Sequence, residues 1–161
     1  MDEIVLRSMV KWPNVPSVYG WLRLDRRGRW LIRMPGDPPR FERIVNPAMI
    51  EFIGRNYAHD AEGRYYFQNG PQRVYVALEY TPWIFSLDGE GRGLITHTGA
   101  PAGAPRAAWF DERGGLVLVC ERGVGEVLDR DLAALERRFV DRNGCPFDVD
   151  ALIGALQSGG G

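Results

Sequence analysis

Residues that could carry out catalysis are scarce in this chain, which has two histidines and two cysteines among 161 residues. His59 or His97 beside a carboxylate such as Asp60 or Glu79 would form the general acid–base pair of a small hydrolase. The sequence shows no convergent set of acid, base, nucleophile and metal ligand. A hydrolase is therefore the alternative hypothesis, and no catalytic residue is assigned.

The cysteines and histidines give no pattern typical of a nucleophile or a metal site. Cys145 follows the predicted end of a helix, where the dipole does not favour a thiolate. Cys120 lies in an apolar run and is expected to be a buried small side chain. A zinc site would need His59 and His97 to come together from distant segments. Neither a metal nor a cofactor is predicted.

A glycine pair before a predicted helix could hold a phosphate. Gly123 and Gly125 lie where backbone amides at a helix N-terminus can cradle an anion. Leu128 occupies the place of the third glycine in a dinucleotide-binding motif, and Glu126 and Asp129 would repel a phosphate. A flexible connector to a capped helix is the favoured interpretation.

Aromatic residues alternate with arginines along the predicted strands. This pattern is found on protein surfaces where bases or ring-bearing ligands stack on aromatic side chains. Alternating aromatics also fill the faces of a thin sheet, and we favour this structural interpretation. A ligand site, if present, is expected in a cleft between the two halves of the chain, beneath the Pro/Gly/Ala-rich loop 97–105. The candidate ligand-binding residues are Arg73, Tyr75, Trp83 and His97.

The most regular pattern is a turn with Asp in the first position and Gly in the fourth. It occurs at Asp25–Gly28, Asp60–Gly63, Asp88–Gly91, Asp111–Gly114 and Asp141–Gly144. Asp can accept hydrogen bonds from amides two or three residues on, and Gly can take the left-handed conformation that completes a hairpin. We therefore predict hairpins rather than acidic metal or catalytic loops.

Two segments have matching helical spacing. A helix over 47–58, capped by Asn46, and a second helix 82 residues later carry apolar stripes at Ile50, Ile53 and Tyr57 and at Leu132, Leu135 and Phe139. The match predicts an internal duplication. The expected fold is α+β, with two tandem copies of a β-hairpin–helix–turn–strand unit, a mostly antiparallel sheet and a C-terminal helix at 148–156.

The predicted organisation is a first unit with a connecting hairpin over 1–96, a loop over 97–105, a second unit over 106–158 and a disordered tail over 159–161. This order of features resembles an uncharacterised proteobacterial domain-of-unknown-function family with repeated α+β motifs. The resemblance rests on Leu22–Trp30, helix 47–58, Asp60–Tyr66, the strand around Arg73–Tyr75, Tyr80–Phe85 and Gly114–Leu116. It implies a role in ligand sensing or signal transduction.

Charge and hydropathy restrict the partners. The net charge is −1, with 20 basic and 21 acidic residues, which argues against nucleic acid and anionic membranes. No apolar run is long enough to span a bilayer, and Asp2 and Glu3 stand where a signal peptide needs positive charge, so we expect a cytoplasmic protein.

The leading functional hypothesis is a non-catalytic binding or regulatory module for a small molecule or a protein partner. A second alternative is a homodimeric scaffold in which an exposed strand edge at Arg73–Glu79 pairs across a two-fold axis.

Overall fold

The computed structural model of the chain describes residues 1–136, which form three helices and eleven strands. The helices are α1 (Glu3–Lys11), α2 (Pro47–Arg55) and α3 (Asp129–Glu136). The strands are β1 (Val18–Leu24), β2 (Trp30–Met34), β3 (Arg40–Arg43), β4 (Tyr57–His59), β5 (Tyr65–Asn69), β6 (Gln72–Leu78), β7 (Trp83–Leu87), β8 (Leu94–Thr96), β9 (Pro105–Phe110), β10 (Leu116–Cys120) and β11 (Gly123–Val127). The predicted α+β class is confirmed. None of the helices described here is long and apolar enough to cross a membrane.

The first sheet contains six strands in the order β3-β2-β1-β6-β5-β4. β1 is antiparallel to β2 and parallel to β6, and the other neighbours are antiparallel. Because β6 pairs with β1 on one side and β5 on the other, the segment Arg73–Glu79 is not an exposed edge. The prediction that two copies pair through this strand is wrong.

The second sheet contains five strands in the order β8-β7-β11-β10-β9. β7 is parallel to β11, and the remaining pairs are antiparallel. The two sheets share one arrangement. In the first, β1 lies parallel to β6, the last strand of the meander β4-β5-β6, and in the second, β7 lies parallel to β11, the last strand of the meander β9-β10-β11. The mostly antiparallel arrangement is confirmed.

This shared connectivity differs from the predicted tandem units. The turns at Asp25 and Asp88 each join the first two strands of a sheet, whereas those at Asp60 and Asp111 each open a meander. The prediction instead paired Asp25 with Asp111. The second meander follows β8 through the loop 97–104 without a helix, whereas α2 stands directly before the first meander. Strands β7 and β8 belong to the second sheet although they fall within predicted unit 1–96. The tandem hairpin–helix copies are therefore not confirmed.

The four described Asp-x-x-Gly turns have one geometry. In the first, Asp25 Oδ1 accepts from the amides of Arg27 and Arg29, at 2.9 and 2.8 Å. The other three repeat these bonds to amides two and four residues on, and the fourth-position glycines have φ between +65° and +78°. The predicted turn type is confirmed, except that the Asp side chain accepts from the amides two and four residues on rather than two or three. The predicted features at 137–161 lie outside the described residues.

The first predicted helix begins as expected and ends earlier. Asn46 Oδ1 accepts from the amide of Met49, and Pro47 occupies the first helical position. The prediction that Tyr57 lies on the helical stripe is wrong, because Tyr57 begins β4 and pairs with Phe67 of β5. Strand pairing with β5 thus overrides the helical spacing at this position.

The segment at Gly123 and Gly125 is neither a phosphate loop nor a flexible connector. It is β11, which pairs with β10 and β7. A Cβ at Gly125 would come within 2.4 Å of the Phe85 ring, so this glycine allows close packing of the strand on a core aromatic. Both interpretations of the glycine pair are therefore wrong.

One hydrophobic core joins the two sheets and α3. Its buried side chains include Leu24 and Trp30 of the first sheet, Phe85 and Leu118 of the second, and Leu135 of α3. The predicted burial of Cys120 is confirmed, with 3% of its surface exposed. The loop between β8 and β9 is not wholly at the surface, since its Ala102 is fully buried.

Candidate functional site

The four candidate ligand-binding residues lie in two different parts of the fold. Val74 and Val76 of β6 pack against the core, so Arg73 and Tyr75, which alternate with them, lie on the other face of the first sheet. The rings of Trp83 and His97 lie on the core side, with centroids 5.7 Å apart. The structure therefore brings Trp83 and His97 together and separates them from Arg73 and Tyr75.

On the outer face of the first sheet, aromatic rings and guanidinium groups pack on one another. Tyr75 stacks on Tyr19 with a centroid separation of 4.7 Å and contacts Tyr66 edge-on. Arg73 lies over the Tyr66 ring and Arg64 over the Tyr75 ring, at 4.6 and 5.2 Å. These side chains already occupy the aromatic faces, which supports the interpretation that the alternating pattern fills a sheet face.

A cleft opens between the β4 edge of the first sheet and the second sheet, beneath the loop that joins β8 to β9. We call it the inter-sheet cleft; its volume is about 550 Å³, and its lining residues are Tyr57, Ala58, His59, Trp83, Pro101, Ala102, Gly103, Glu121 and Arg122. Three of them belong to the segment predicted to cover a site, and Trp83 is one of the predicted ligand-binding residues. The volume lies in the range of small-molecule sites.

Hydrogen bonds hold the aromatic wall of the cleft in place. Tyr57 Oη donates to the carbonyl of Pro82 at 2.9 Å, and Trp83 Nε1 donates to Tyr65 Oη at 3.2 Å. The Tyr57 and Trp83 rings meet edge to face at 5.1 Å. Burial raises the pKa of Tyr57, and neighbouring Tyr65 adds to the effect. The wall is therefore rigid and uncharged at neutral pH.

His97 lies directly behind this wall rather than in the cleft lining. Its ring lies 5.2 Å from Trp30 and 5.8 Å from Tyr57, and the amide of Ile84 donates to its Nδ1 at 3.3 Å. A ring nitrogen that accepts a hydrogen bond is unprotonated, so Nε2 carries the proton of the neutral tautomer. Burial lowers the pKa of His97 to about 4.

The buried neutral His97 predicts a loss of stability in mild acid. The unfolded chain takes up a proton near pH 6.5 and the folded chain only near pH 4, so stability is lost as pH falls between these values. From pH 6.5 to 5, this histidine should reduce the free energy of unfolding by about 1.5 kcal/mol. Urea titrations of wild type and His97→Asn, whose amide oxygen can replace Nδ1, should show a smaller loss in the variant. Equal losses would contradict this assignment.

The rim of the cleft is polar and comes from both sheets. Arg122, in the β10–β11 turn, donates through Nε to the carbonyl of Pro101 at 2.8 Å, and its guanidinium lies 5.7 Å from the centroid of Trp83. His59 of β4 lies on the other side, and its Nδ1 donates to the carbonyl of Asp60 at 2.9 Å. The cleft thus combines aromatic rings with polar groups at its opening.

The groups needed for hydrolysis do not come together in residues 1–136. Neither His97 nor His59 hydrogen-bonds a carboxylate. The carboxylate of Asp60 instead binds Arg64 and accepts from Tyr75 Oη. Burial raises the pKa of Asp60, but these partners and the Arg64 amide outweigh it and bring the pKa to about 2. Asp60 is therefore an ionised structural group rather than a general base.

Cysteine and metal chemistry also lack a suitable site in the part of the chain that the structure describes. Burial raises the pKa of the Cys120 thiol, and Glu121 adds to the effect, so a thiolate is disfavoured there. Between residues 1 and 136, no cluster of three or more His, Cys, Asp or Glu side chains is arranged to hold a metal ion.

Comparison with known proteins places the chain in a family without an assigned activity. Residues 1–156 match the family DUF2944, described as "Protein of unknown function (DUF2946)". The chain belongs to this family. The expected resemblance to a family of unknown function is confirmed. No curated protein matches the chain.

Two solved structures resemble this DUF2944 member in fold. A DUF1285 family protein from Silicibacter pomeroyi DSS-3 matches with a TM-score of 0.55 and 17% identity, covering 80% of this chain and 75% of its own. A DUF1285 family protein from Shewanella baltica OS155 matches with a TM-score of 0.51 and 13% identity, covering 74% and 92%. At these identities the likeness shows the fold alone.

An ion cluster between the sheets of this family member is not indicated by any sequence pattern. Arg26, in the β1–β2 turn, donates through Nε to Glu126 Oε2 and through Nη2 to Asp111 Oδ2, both at 3.0 Å. Its guanidinium also lies 4.4 Å from the centroid of the Tyr80 ring. In the Asp25 and Asp60 turns, an arginine four residues on binds the turn carboxylate. The residue four positions after Asp111 is Gly115, and the carboxylate of Asp111 binds Arg26 instead.

Proposed function

We propose that this chain is a non-catalytic binding module that takes a small ring-bearing molecule into the inter-sheet cleft, with a regulatory role as the family resemblance implies. The observation that carries the proposal is the combination of a cavity of about 550 Å³ with the buried rings of Tyr57 and Trp83 in its wall. Aromatic walls with a few polar groups at the opening are typical of small-molecule sites.

The position of the cleft supports binding rather than a purely structural gap. One side is the edge strand β4 of the first sheet, and the other is the β10–β11 turn together with the β8–β9 loop, whose Ala102 is buried. A ligand there would contact both sheets at once. Binding would therefore stabilise their relative position, which is the physical basis for a regulatory effect.

The wall residues are already prepared for a ligand. Tyr57 and Trp83 are held by hydrogen bonds to Pro82 and Tyr65 and need not reorganise. A rigid aromatic surface loses little conformational entropy when it binds a planar molecule.

Blocking the cleft tests the proposal. His59 lines the cleft on the same face of β4 as Tyr57, and His59→Trp should cover part of the opening. Ala77→Trp, at an exposed position of β6 in the same sheet, is the matched control. In ligand-observed NMR with a library of aromatic fragments at about 1 mM, we expect fragments that bind wild type and Ala77→Trp but bind His59→Trp at least tenfold more weakly.

Circular dichroism and thermal unfolding of both variants would establish that each is folded. Fragments that bind His59→Trp as well as wild type would contradict the assignment of the cleft. A library with no binder to wild type would contradict the proposed function itself.

A further inference from the structure

Arg122 provides a cationic group at the cleft that no carboxylate of the described residues neutralises. No carboxylate among residues 1–135 lies within 4.0 Å of its guanidinium nitrogens. The neighbouring Glu121 packs instead against Gly103, where an added Cβ would come within 2.7 Å of the Glu121 Cβ. The Arg122 side chain uses Nε for the Pro101 carbonyl and leaves its two terminal nitrogens without a partner in the described chain.

The orientation of this guanidinium is fixed by two contacts. The bond to the Pro101 carbonyl holds Nε, and the ring of Trp83 lies 5.7 Å from the guanidinium carbon. The backbone amide of Arg122 is bound as well, to the carbonyl of Ala102. A guanidinium held in this way presents paired donors in the fork geometry that matches a carboxylate.

We propose that the ligand of the inter-sheet cleft is a planar aromatic monocarboxylate, with its ring against Tyr57 and Trp83 and its carboxylate on the terminal nitrogens of Arg122. This inference rests on the proposed function and names the class of ligand. The aromatic wall carries no charge, so the charged group of a ligand would be recognised at the rim, by Arg122. A doubly charged phosphate is less suitable, because the exposed carboxylate of Glu121 lines the same opening.

Four matched probes separate the contribution of the aromatic ring to binding from that of the carboxylate charge. 2-Naphthoate has both, 2-naphthamide has the ring without the charge, cyclohexanecarboxylate has the charge without a planar ring, and 2-naphthyl phosphate carries a larger charge. Isothermal titration calorimetry with the full chain should show that 2-naphthoate binds at least about tenfold more tightly than each of the others.

Substitution of Arg122 identifies the group that binds the carboxylate. Arg122→Gln should weaken 2-naphthoate about tenfold or more and leave 2-naphthamide unchanged, since the lost interaction is charge-assisted. Arg106→Gln, at an exposed arginine of β9 outside the cleft, is the control and should change neither affinity.

The outcomes distinguish this inference from the proposed function. If 2-naphthamide or 2-naphthyl phosphate binds as tightly as 2-naphthoate, or if Arg122→Gln leaves 2-naphthoate unchanged, the carboxylate assignment is wrong while the cleft still binds rings. If no probe binds wild type at concentrations up to about 1 mM, both the ligand class and the proposed function are wrong.

Discussion

Arg26→Ala should lower the free energy of unfolding by about 3 kcal/mol at neutral pH, because it leaves two almost buried carboxylates without their shared cation. The side chains of Asp111 and Glu126 are 9% and 6% exposed, and that of Arg26 is 24% exposed. Glu126 raises the pKa of Arg26 through hydrogen bonding, so the arginine remains charged. Urea unfolding followed by circular dichroism measures the loss.

The pH dependence of this loss separates electrostatics from packing. Burial raises the pKa of Asp111, but the Gly115 and Arg113 amides and Arg26 outweigh it, so the folded pKa is lowered. Wild type therefore keeps this contribution down to about pH 4, because stability from such a group is lost only as pH falls through the lowered folded pKa. In Arg26→Ala the cation no longer opposes the effect of burial, so the pKa of Asp111 is higher in the folded variant, which is relieved of the buried charge at a higher pH. The deficit of Arg26→Ala relative to wild type should therefore shrink as pH is lowered from 7 towards 4.

The neighbouring Arg27, exposed and without a side-chain partner among the described residues, supplies the control. Arg27→Ala should change the free energy of unfolding by less than about 0.5 kcal/mol. A deficit for Arg26→Ala that is equal at pH 7 and pH 4 would indicate lost packing, including the contact with Tyr80, rather than two uncompensated carboxylates.

Local interactions explain which features could be predicted from the sequence. The hydrogen bonds of the Asp25 turn all lie within five consecutive residues, so residue types alone indicate its geometry. The same holds for the Asn46 cap of α2 and its bond to Met49. The loop over the cleft can also be predicted from the sequence, since its prolines and glycines indicate a connection between structured halves.

Long-range pairing explains what could not be predicted. The parallel pairs β1–β6 and β7–β11 join strands far apart in the chain, and no local pattern specifies them. Alternation along β6 correctly indicates a strand but does not say which face meets the core, so Arg73 and Tyr75 were grouped with residues on the opposite side. Arg122 lies in a turn without a recurring pattern, and only the packing of its guanidinium near Trp83 indicates a role.

Gly28→Ala should lower the free energy of unfolding by about 3 kcal/mol, from two separate effects. The residue has a φ of +76°, which costs a non-glycine residue about 1–2 kcal/mol. A Cβ there would also lie 2.7 Å from the Cβ of His97, so the two sheets must move apart locally, at a further cost of about 1–3 kcal/mol. Chemical denaturation of the purified variant measures the sum.

Two other glycines in equivalent turns isolate the steric part. Gly63 and Gly114 have φ of +77° and +78°, but an added Cβ would have no neighbour within 4 Å. Alanine at either position should therefore cost only the backbone strain, about 1 kcal/mol. Equal losses at all three glycines would show that Gly28 is not a contact point between the sheets.

The identity of the clashing atom makes a sharper test possible. The close contact is with the Cβ of His97, which alanine retains and glycine lacks. In the Gly28→Ala background, His97→Gly should therefore recover part of the steric loss, measured as a coupling free energy in a double-mutant cycle, whereas His97→Ala should recover none. Recovery by both substitutions would place the conflict at the imidazole ring instead. The turn at Gly28 would then approach the second sheet through a side chain that can rotate away, rather than through its backbone.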